Sequence, residues 1–299
     1  MTFNPSVRIG ILGAGRLGTL LARALVLAGQ EVTVVWSRDA ERAAALARSL
    51  GRCRSRAIAQ SAVDAADLIF ITTPDDVIER FACSLEWWRG QSVVHCSGAL
   101  DTSVLSTAAE VGADIGSFHP LQSITEASGP EALRGVSIAI EARGLMRARL
   151  ADIARSLGSY PITLNPGSKA RYHAGATIAS NYLVTLASCA TELLESAGLS
   201  QEEALAALLP LMRGTLENLS SLGLPDALTG PIARGDLMTV IRHRQALGST
   251  PEIDEIYQCL GRRTLTLAME RGQVRPEQLR RLSLLFTEFD TLERTAPCA

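Results

Sequence analysis

Three glycines in the order Gly13-x-Gly15-x-x-Gly18, with Ala14, Arg16 and Leu17 between them, stand where a short β-branched run (7–12) stops and a helical period (16–28) begins. In a strand-turn-helix the first glycine permits a tight turn, the second lets a pyrophosphate approach the backbone, and the third lets helix and strand pack closely. The free N–H groups and positive end of the helix then receive phosphate. The pattern alone is weak, but a second strand at 31–36 completes a βαβ unit and makes it a dinucleotide signal. The end of that strand selects the ligand. Proteins that take NAD usually place a carboxylate there, whereas this chain has Trp36-Ser37-Arg38, with Arg42 a helical turn on. Arg38 can fork onto a 2′-phosphate and Ser37 can donate to it, so the expected cofactor is NADP. Asp39 reads as the cap of the next helix.

Two more strand ends point to the same crevice. Thr72-Thr73-Pro74 closes one: Thr73 is expected to cap the following helix, Pro74 to sit in its first turn, and Asp75 and Asp76 to complement its dipole. His95-Cys96-Ser97-Gly98 closes the other, where the backbone and the Ser97 hydroxyl are expected to border the nicotinamide and Cys96 reads as a small buried residue. His119, just before Pro120, lies in an extended segment at the sheet's carboxyl edge and is a catalytic candidate. Further on, Arg234 is a possible carboxylate ligand and Asp236 a helix cap. The four histidines lack metal-ligand spacing, so no metal is expected.

These residues need a frame. Strand patterns at 67–72, 92–96, 115–119, 136–141 and 160–164 alternate with helical periods at 75–84, 102–110 and 145–157, which predicts an α/β Rossmann fold with a mostly parallel, doubly wound sheet. After Asn165-Pro166-Gly167 only helical periods follow, at 168–197, 200–219, 236–247, 251–270 and 276–292, with a frayed tail at 294–299. The expected domains are therefore 1–165, dinucleotide-binding, and 166–299, all-helical. The 299 residues suffice for two cores. A net charge of -2 without charge blocks argues against nucleic acid or an anionic membrane as partner. The uncharged stretch 174–191 is too weakly apolar for a membrane span and reads as a buried helix. Six scattered cysteines and a start without an apolar signal core lead to the expectation of a cytoplasmic protein with reduced thiols.

The glycine turn, Thr-Thr-Pro-Asp-Asp, His-Cys-Ser-Gly, Phe118-His119-Pro120-Leu121-Gln122-Ser123, Lys169-x-x-Tyr172-His173-Ala174, Ala179-Ser180-Asn181-Tyr182-Leu183 and Gly230-Pro231-Ile232-Ala233-Arg234-Gly235-Asp236 form a set. Together they resemble a family that joins a Rossmann-like domain to a helical C-terminal domain of unknown function. More distantly the chain is similar to the superfamily of 6-phosphogluconate dehydrogenase, β-hydroxyacid dehydrogenases, ketopantoate reductase and pyrroline-5-carboxylate reductase. The resemblance implies a cofactor on the first domain and a helical domain, often dimeric, that supplies substrate and catalytic groups. It carries the superfamily's catalytic lysine onto Lys169, with His173 where several relatives have Asn.

Residues four apart share a helix face, so an ammonium and an imidazole at 169 and 173 can converge on one group and offset charge developing in a hydride transfer. Asn181 lies about 18 Å further along a continuous helix, which makes it a substrate-orienting amide rather than a partner of Lys169. The expected protein is an NADP-dependent oxidoreductase acting on a small carbonyl or imine compound in an interdomain cleft, with a homodimer built through the helical domain. The alternatives are a non-catalytic NADP-binding regulator, or an enzyme whose hydride partner is a deazaflavin.

Overall fold

A computed structural model describes residues 7–286. Short β-branched runs make the strands and alanine- and leucine-rich periods make the helices between them. In chain order the first part runs β1 (Arg8–Leu12), α1 (Arg16–Leu27), β2 (Glu31–Trp36), α2 (Ala40–Ser49), β3 (Arg54–Ser55), α3 (Ala59–Val63), β4 (Leu68–Ile71) and α4 (Asp75–Cys83). It continues through β5 (Ser92–His95), α5 (Ser106–Glu110), β6 (Asp114–Pro120), β7 (Ser137–Ala142), α6 (Gly144–Ser156), β8 (Tyr160–Thr163) and α7 (Lys169–Ala179).

The eight strands form one sheet in the order β3-β2-β1-β4-β5-β6-β7-β8, parallel throughout except where β7 returns antiparallel to β6. Its two faces are covered separately. Ile9, Ile11, Leu68, Phe70 and Val94 point to the side of α1, α2 and α6, whereas Leu12, Ile69, Ile71 and Val93 point to the side of α3, α4 and α5. Burial on both faces removes the alternation of apolar and polar residues, so β4 reads Leu-Ile-Phe-Ile with every residue buried. The strand order reverses between β1 and β4, and in open α/β sheets that switch point is where ligands lie.

Glycine is mandatory at two points of the turn after β1. Gly13 has φ +124°, a value that side chains disfavour. A Cβ at Gly18 would run into the Gly13 carbonyl oxygen and lie 2.5 Å from the Thr72 hydroxyl.

By its packing the chain divides after Tyr182 into two compact units. The helical run expected over 168–197 is two helices, α7 and α8 (Asn181–Ser196), broken at Ser180 (φ −115°, ψ −66°). Ser180 and Asn181 are poor helix formers whose side chains compete for backbone hydrogen bonds, so the period carries across a break that propensity opens. The expected burial of 174–191 also fails. In the chain alone Thr191 is the only buried residue of α8. Thr73 does not cap α4: Pro74 is the cap residue, without a side-chain hydrogen bond, and so precedes the first turn.

The second unit is helical: α9 (Gln201–Leu222), α10 (Leu237–Leu247), α11 (Pro251–Arg271) and α12 (Pro276–Leu284). Ser200 and Glu203 open α9 with a reciprocal capping box. The unit's core gathers Ile232, Val240, Leu265, Ala268, Leu282 and Phe286, with Gly261 admitting the Phe286 ring against α11. The tail expected at 294–299 and the end of the last predicted helix lie outside the described residues. Among the described residues no helix is long and apolar enough to cross a membrane. Gly18→Ala should lower unfolding stability by about 3 kcal/mol, because the added methyl meets backbone that cannot yield; a urea midpoint unchanged from wild type would contradict this packing.

Candidate functional site

At the glycine turn each residue's reason for being small can be separated. Gly15, the N-cap of α1, has φ −77° and ψ −171°, which any residue adopts, and a Cβ there would meet nothing within 4 Å. The protein itself therefore does not require glycine at 15. What a side chain would fill is the approach to the free N–H groups of α1, where a pyrophosphate fits. Thr72 braces the turn by donating from its hydroxyl to the Gly13 carbonyl (2.8 Å), and Thr73 Oγ1 is buried without a hydrogen-bond partner among the described residues. Arg16 and Ala14 border a hollow of ≈ 280 Å³ beside Gly15, while Leu17 is half-buried beneath them.

The end of β2 keeps one guanidinium open. Asp39 caps α2 by accepting from the Arg42 N–H (3.0 Å) and also pairs with the Arg42 side chain (3.2 Å). Arg38 is exposed and makes no ion pair among the described residues, and the Ser37 hydroxyl accepts from the Asp39 N–H (3.3 Å) while keeping its own proton to donate. This arrangement fits a 2′-phosphate better than a ribose diol.

The end of β5 serves a different purpose from the one expected. The Ser97 hydroxyl donates to Asp75 (2.6 Å) and accepts from the Ala99 and Leu100 N–H groups (3.1 and 3.0 Å), so it ties down its own turn and has nothing left for a ligand. Cys96 is buried, and burial pushes its thiol up to about 12, which leaves it unreactive at neutral pH. Gly98 is the informative residue. A Cβ on it would lie 2.5 Å from His173 Cδ2 and 2.7 Å from His119 Nε2, so its backbone is pressed against both imidazoles.

Those imidazoles face a cavity of ≈ 710 Å³ lined by His119, Tyr172, His173 and Asn181 together with Arg16 and Gln122. His119 Nδ1 is hydrogen-bonded to the Tyr172 hydroxyl (2.9 Å), and the two histidine rings stand 6.0 Å apart, edge to face. Burial, then the Lys169 charge, then His173 hold His119 down at about 4, so the ring is neutral at pH 7. Burial pushes the Tyr172 hydroxyl up to about 12, so it keeps its proton. A neutral imidazole bonded to a protonated phenol can deliver or accept a proton. Arg16 and Thr125 border both this cavity and the hollow beside Gly15, so the two are contiguous.

Lys169 and His173 do not converge on one group as their spacing led one to expect. Lys169 is fully buried and is absent from the cavity wall; its ammonium donates to the Ser97 carbonyl (2.6 Å). Positions 169 and 173 share a helix face, but Lys169 bonds the Ser97 carbonyl on the inner side of the β5 turn, whereas His173 lines the cavity. Asn181, just past the break at Ser180, lines the same cavity as His173. Tyr172 is the residue that reading the sequence missed, although its place one turn from Lys169 was visible. A second overlooked signal is that Lys169 is the only lysine in the chain. In the second unit Asp236 caps α10 by accepting from the Thr239 N–H (3.1 Å), and Arg234 lies in the turn before it.

A family model described as "NADP oxidoreductase coenzyme F420-dependent" matches residues 8–98, and one described as "Domain of unknown function (DUF2520)" matches residues 136–264. A solved protein of Thermotoga maritima superposes with TM-score 0.73 at 24% identity over 88% of this chain and 99% of its own. The fold is that of an NADP-binding oxidoreductase. The pyrroline-5-carboxylate reductase of Streptococcus pyogenes gives TM-score 0.61 at 17% identity over 93% of this chain and 98% of its own. A reductive aminase of Aspergillus terreus, solved with NADPH4, cyclohexanone and allyl amine, gives TM-score 0.61 at 20% identity over 97% of this chain and 95% of its own. No curated protein matches the chain.

The buried histidines make stability depend on pH. His95 is held at about 3 and His119 at about 4, both below the ordinary 6.5, chiefly by burial and then by the Lys169 charge. The unfolded chain takes up protons that the folded one refuses, so the stability these neutral rings contribute is complete above 6.5 and is lost as pH falls toward 4. The thermal midpoint should therefore drop across that window, and His119→Gln should flatten the drop; equal slopes in calorimetry would show that the ring is not held neutral.

Proposed function

We propose that the protein is an NADP-dependent oxidoreductase that moves a hydride between NADP(H) and a small carbonyl or imine compound at the cavity lined by His119, Tyr172, His173 and Asn181. The observation that carries this reading is the hydrogen-bonded His119–Tyr172 pair, set beside His173 in a cavity that shares Arg16 with the hollow at Gly15. The Gly13–Gly18 turn would hold the pyrophosphate and Ser37 with Arg38 the 2′-phosphate, and the bound dinucleotide supplies the hydride. Reduction leaves negative charge on the substrate's oxygen or nitrogen, which must gain a proton. Tyr172 holds a proton at neutral pH, and His119 is positioned to restore it. His173 lies on the same wall, and the Asn181 amide can orient a polar substituent. Fold likeness to reductive aminases and to a pyrroline-5-carboxylate reductase supports carbonyl and imine substrates without choosing between them.

We also infer a homodimer through the helical unit. Thr191 is the only buried residue of α8 and Ala204 the only one of α9, while Val184, Leu211, Leu216 and Leu222 are more than half exposed. Apolar faces of this length on neighbouring helices need a cover, and a second copy supplies a matching one. Light scattering should return twice the chain mass, and Leu211→Glu with Leu216→Glu should shift it toward the monomer; a monomeric wild-type protein at micromolar concentration would refute the dimer.

The activity test is oxidation of NADPH with a panel of 2-keto acids, ketones and cyclic imines. Turnover is expected with NADPH and weaker turnover with NADH. Tyr172→Phe and His119→Ala should each lower kcat by about 10²–10⁴-fold while NADPH binding persists. Tight NADPH binding without turnover on any class would replace this reading with a regulator, and turnover only with an oxidised deazaflavin would reassign the hydride partner.

A further inference from the structure

Lysine is the rarest cation in this chain: of its 29 Lys and Arg residues, only Lys169 is lysine. That one side chain has zero exposure, and its ammonium donates to the Ser97 carbonyl at 2.6 Å. An arginine would bring a planar fork with five donors to a place that offers a single carbonyl, whereas an ammonium is compact and meets one acceptor well. The acceptor belongs to the turn that the Ser97 hydroxyl also braces, through Asp75, Ala99 and Leu100. The next residue is Gly98, whose backbone abuts both His119 and His173. A continuous line of contacts therefore runs from the buried ammonium through one peptide unit to both imidazoles.

Resting on the oxidoreductase reading, we propose that Lys169 is a positioning residue: it fastens the Ser97–Gly98 turn to the start of α7 and so fixes the spacing of His119 and His173, which meet the substrate in its place. The charge has counter-charges around it. Burial is the largest influence and lowers the Lys169 pKa from its ordinary value, while Cys96, Glu141 on β7, Asp75 on α4 and Asp101 in the turn after β5 act against it and favour the ammonium. Glu141 shares a row across the sheet with Ser117 and His95, to which it is joined by strand register. The charged and titratable groups facing His119 are Lys169, Tyr172 and His173 of α7, with His95 of β5 on the inner side. After burial, the ammonium also disfavours a second proton on His119 and helps keep that ring neutral.

The test needs no substrate, so it stands apart from the outcome of the activity panel. In untagged protein, lysine labelling gives one side-chain resonance by NMR, and histidine labelling gives four rings, assigned by substitution. In the wild type the Lys169 amine should resist acetylation under conditions that modify the N-terminus. In Lys169→Met the midpoint of His119 should rise by about half a pH unit or more and the His173 ring signal should move, with NADPH affinity within about threefold of wild type. Lys169→Arg keeps the charge and should leave the His119 midpoint low while still displacing His173. Should Lys169→Met not fold, the acetylation rate and the Lys169→Arg spectrum carry the decision. Rapid acetylation of native Lys169, a His119 midpoint unmoved in Lys169→Met, or a His173 signal unmoved in both variants would overturn the proposal.

Discussion

A buried ammonium must be matched by something, and the matching of Lys169 organises the site. Its hydrogen bond to the Ser97 carbonyl joins the first residue of α7 to the turn that ends β5. A charge without water around it is tolerable only where hydrogen bonds and opposite charges replace the lost hydration, here Ser97, Asp75, Asp101 and Glu141. These partners come from the end of the central sheet and from the antiparallel strand β7, so that sheet must be assembled before the ammonium can be held. Burial first, and then this same charge, keeps His95 and His119 neutral.

A second constraint is steric. Gly13, Gly18 and Thr72 form a junction in which backbone, not side chain, sets the distance between β1 and α1. Gly15 stands outside that junction, and its missing side chain leaves the start of α1 open. The two features meet at Arg16, which borders the hollow on one side and the histidine cavity on the other. The proposed phosphate site and the proposed site of proton transfer are thus neighbouring parts of one unit, each with its own structural support.

Much of the frame was legible in the residues. The β1–turn–α1 unit, the alternation of strands and helices, and the helical remainder followed from apolar period and from breakers such as Gly29 and Pro166. The antiparallel return of β7 was not legible, because strand direction is set by pairing partners and leaves no mark on a short apolar run. Nor was the break at Ser180: local propensity weakens a helix there, but whether it parts depends on the surroundings. The site was half legible. His119, His173 and Asn181 were picked out by position, whereas Tyr172 acquired its interest only from a hydrogen bond to a residue on another element.

By itself the sequence determined what depends on neighbours in the chain: a glycine turn that opens the start of α1, an arginine where a carboxylate would repel phosphate, and the types of side chain available for chemistry. Tertiary structure alone decided which of those side chains share a space. Lys169 and His173 are one helical turn apart, yet one ends in the interior and the other on a cavity wall, because Ser97 and Gly98 arrive between them from β5. Helical spacing fixes the direction in which a side chain leaves its helix; what it meets is fixed by strands that are distant in sequence.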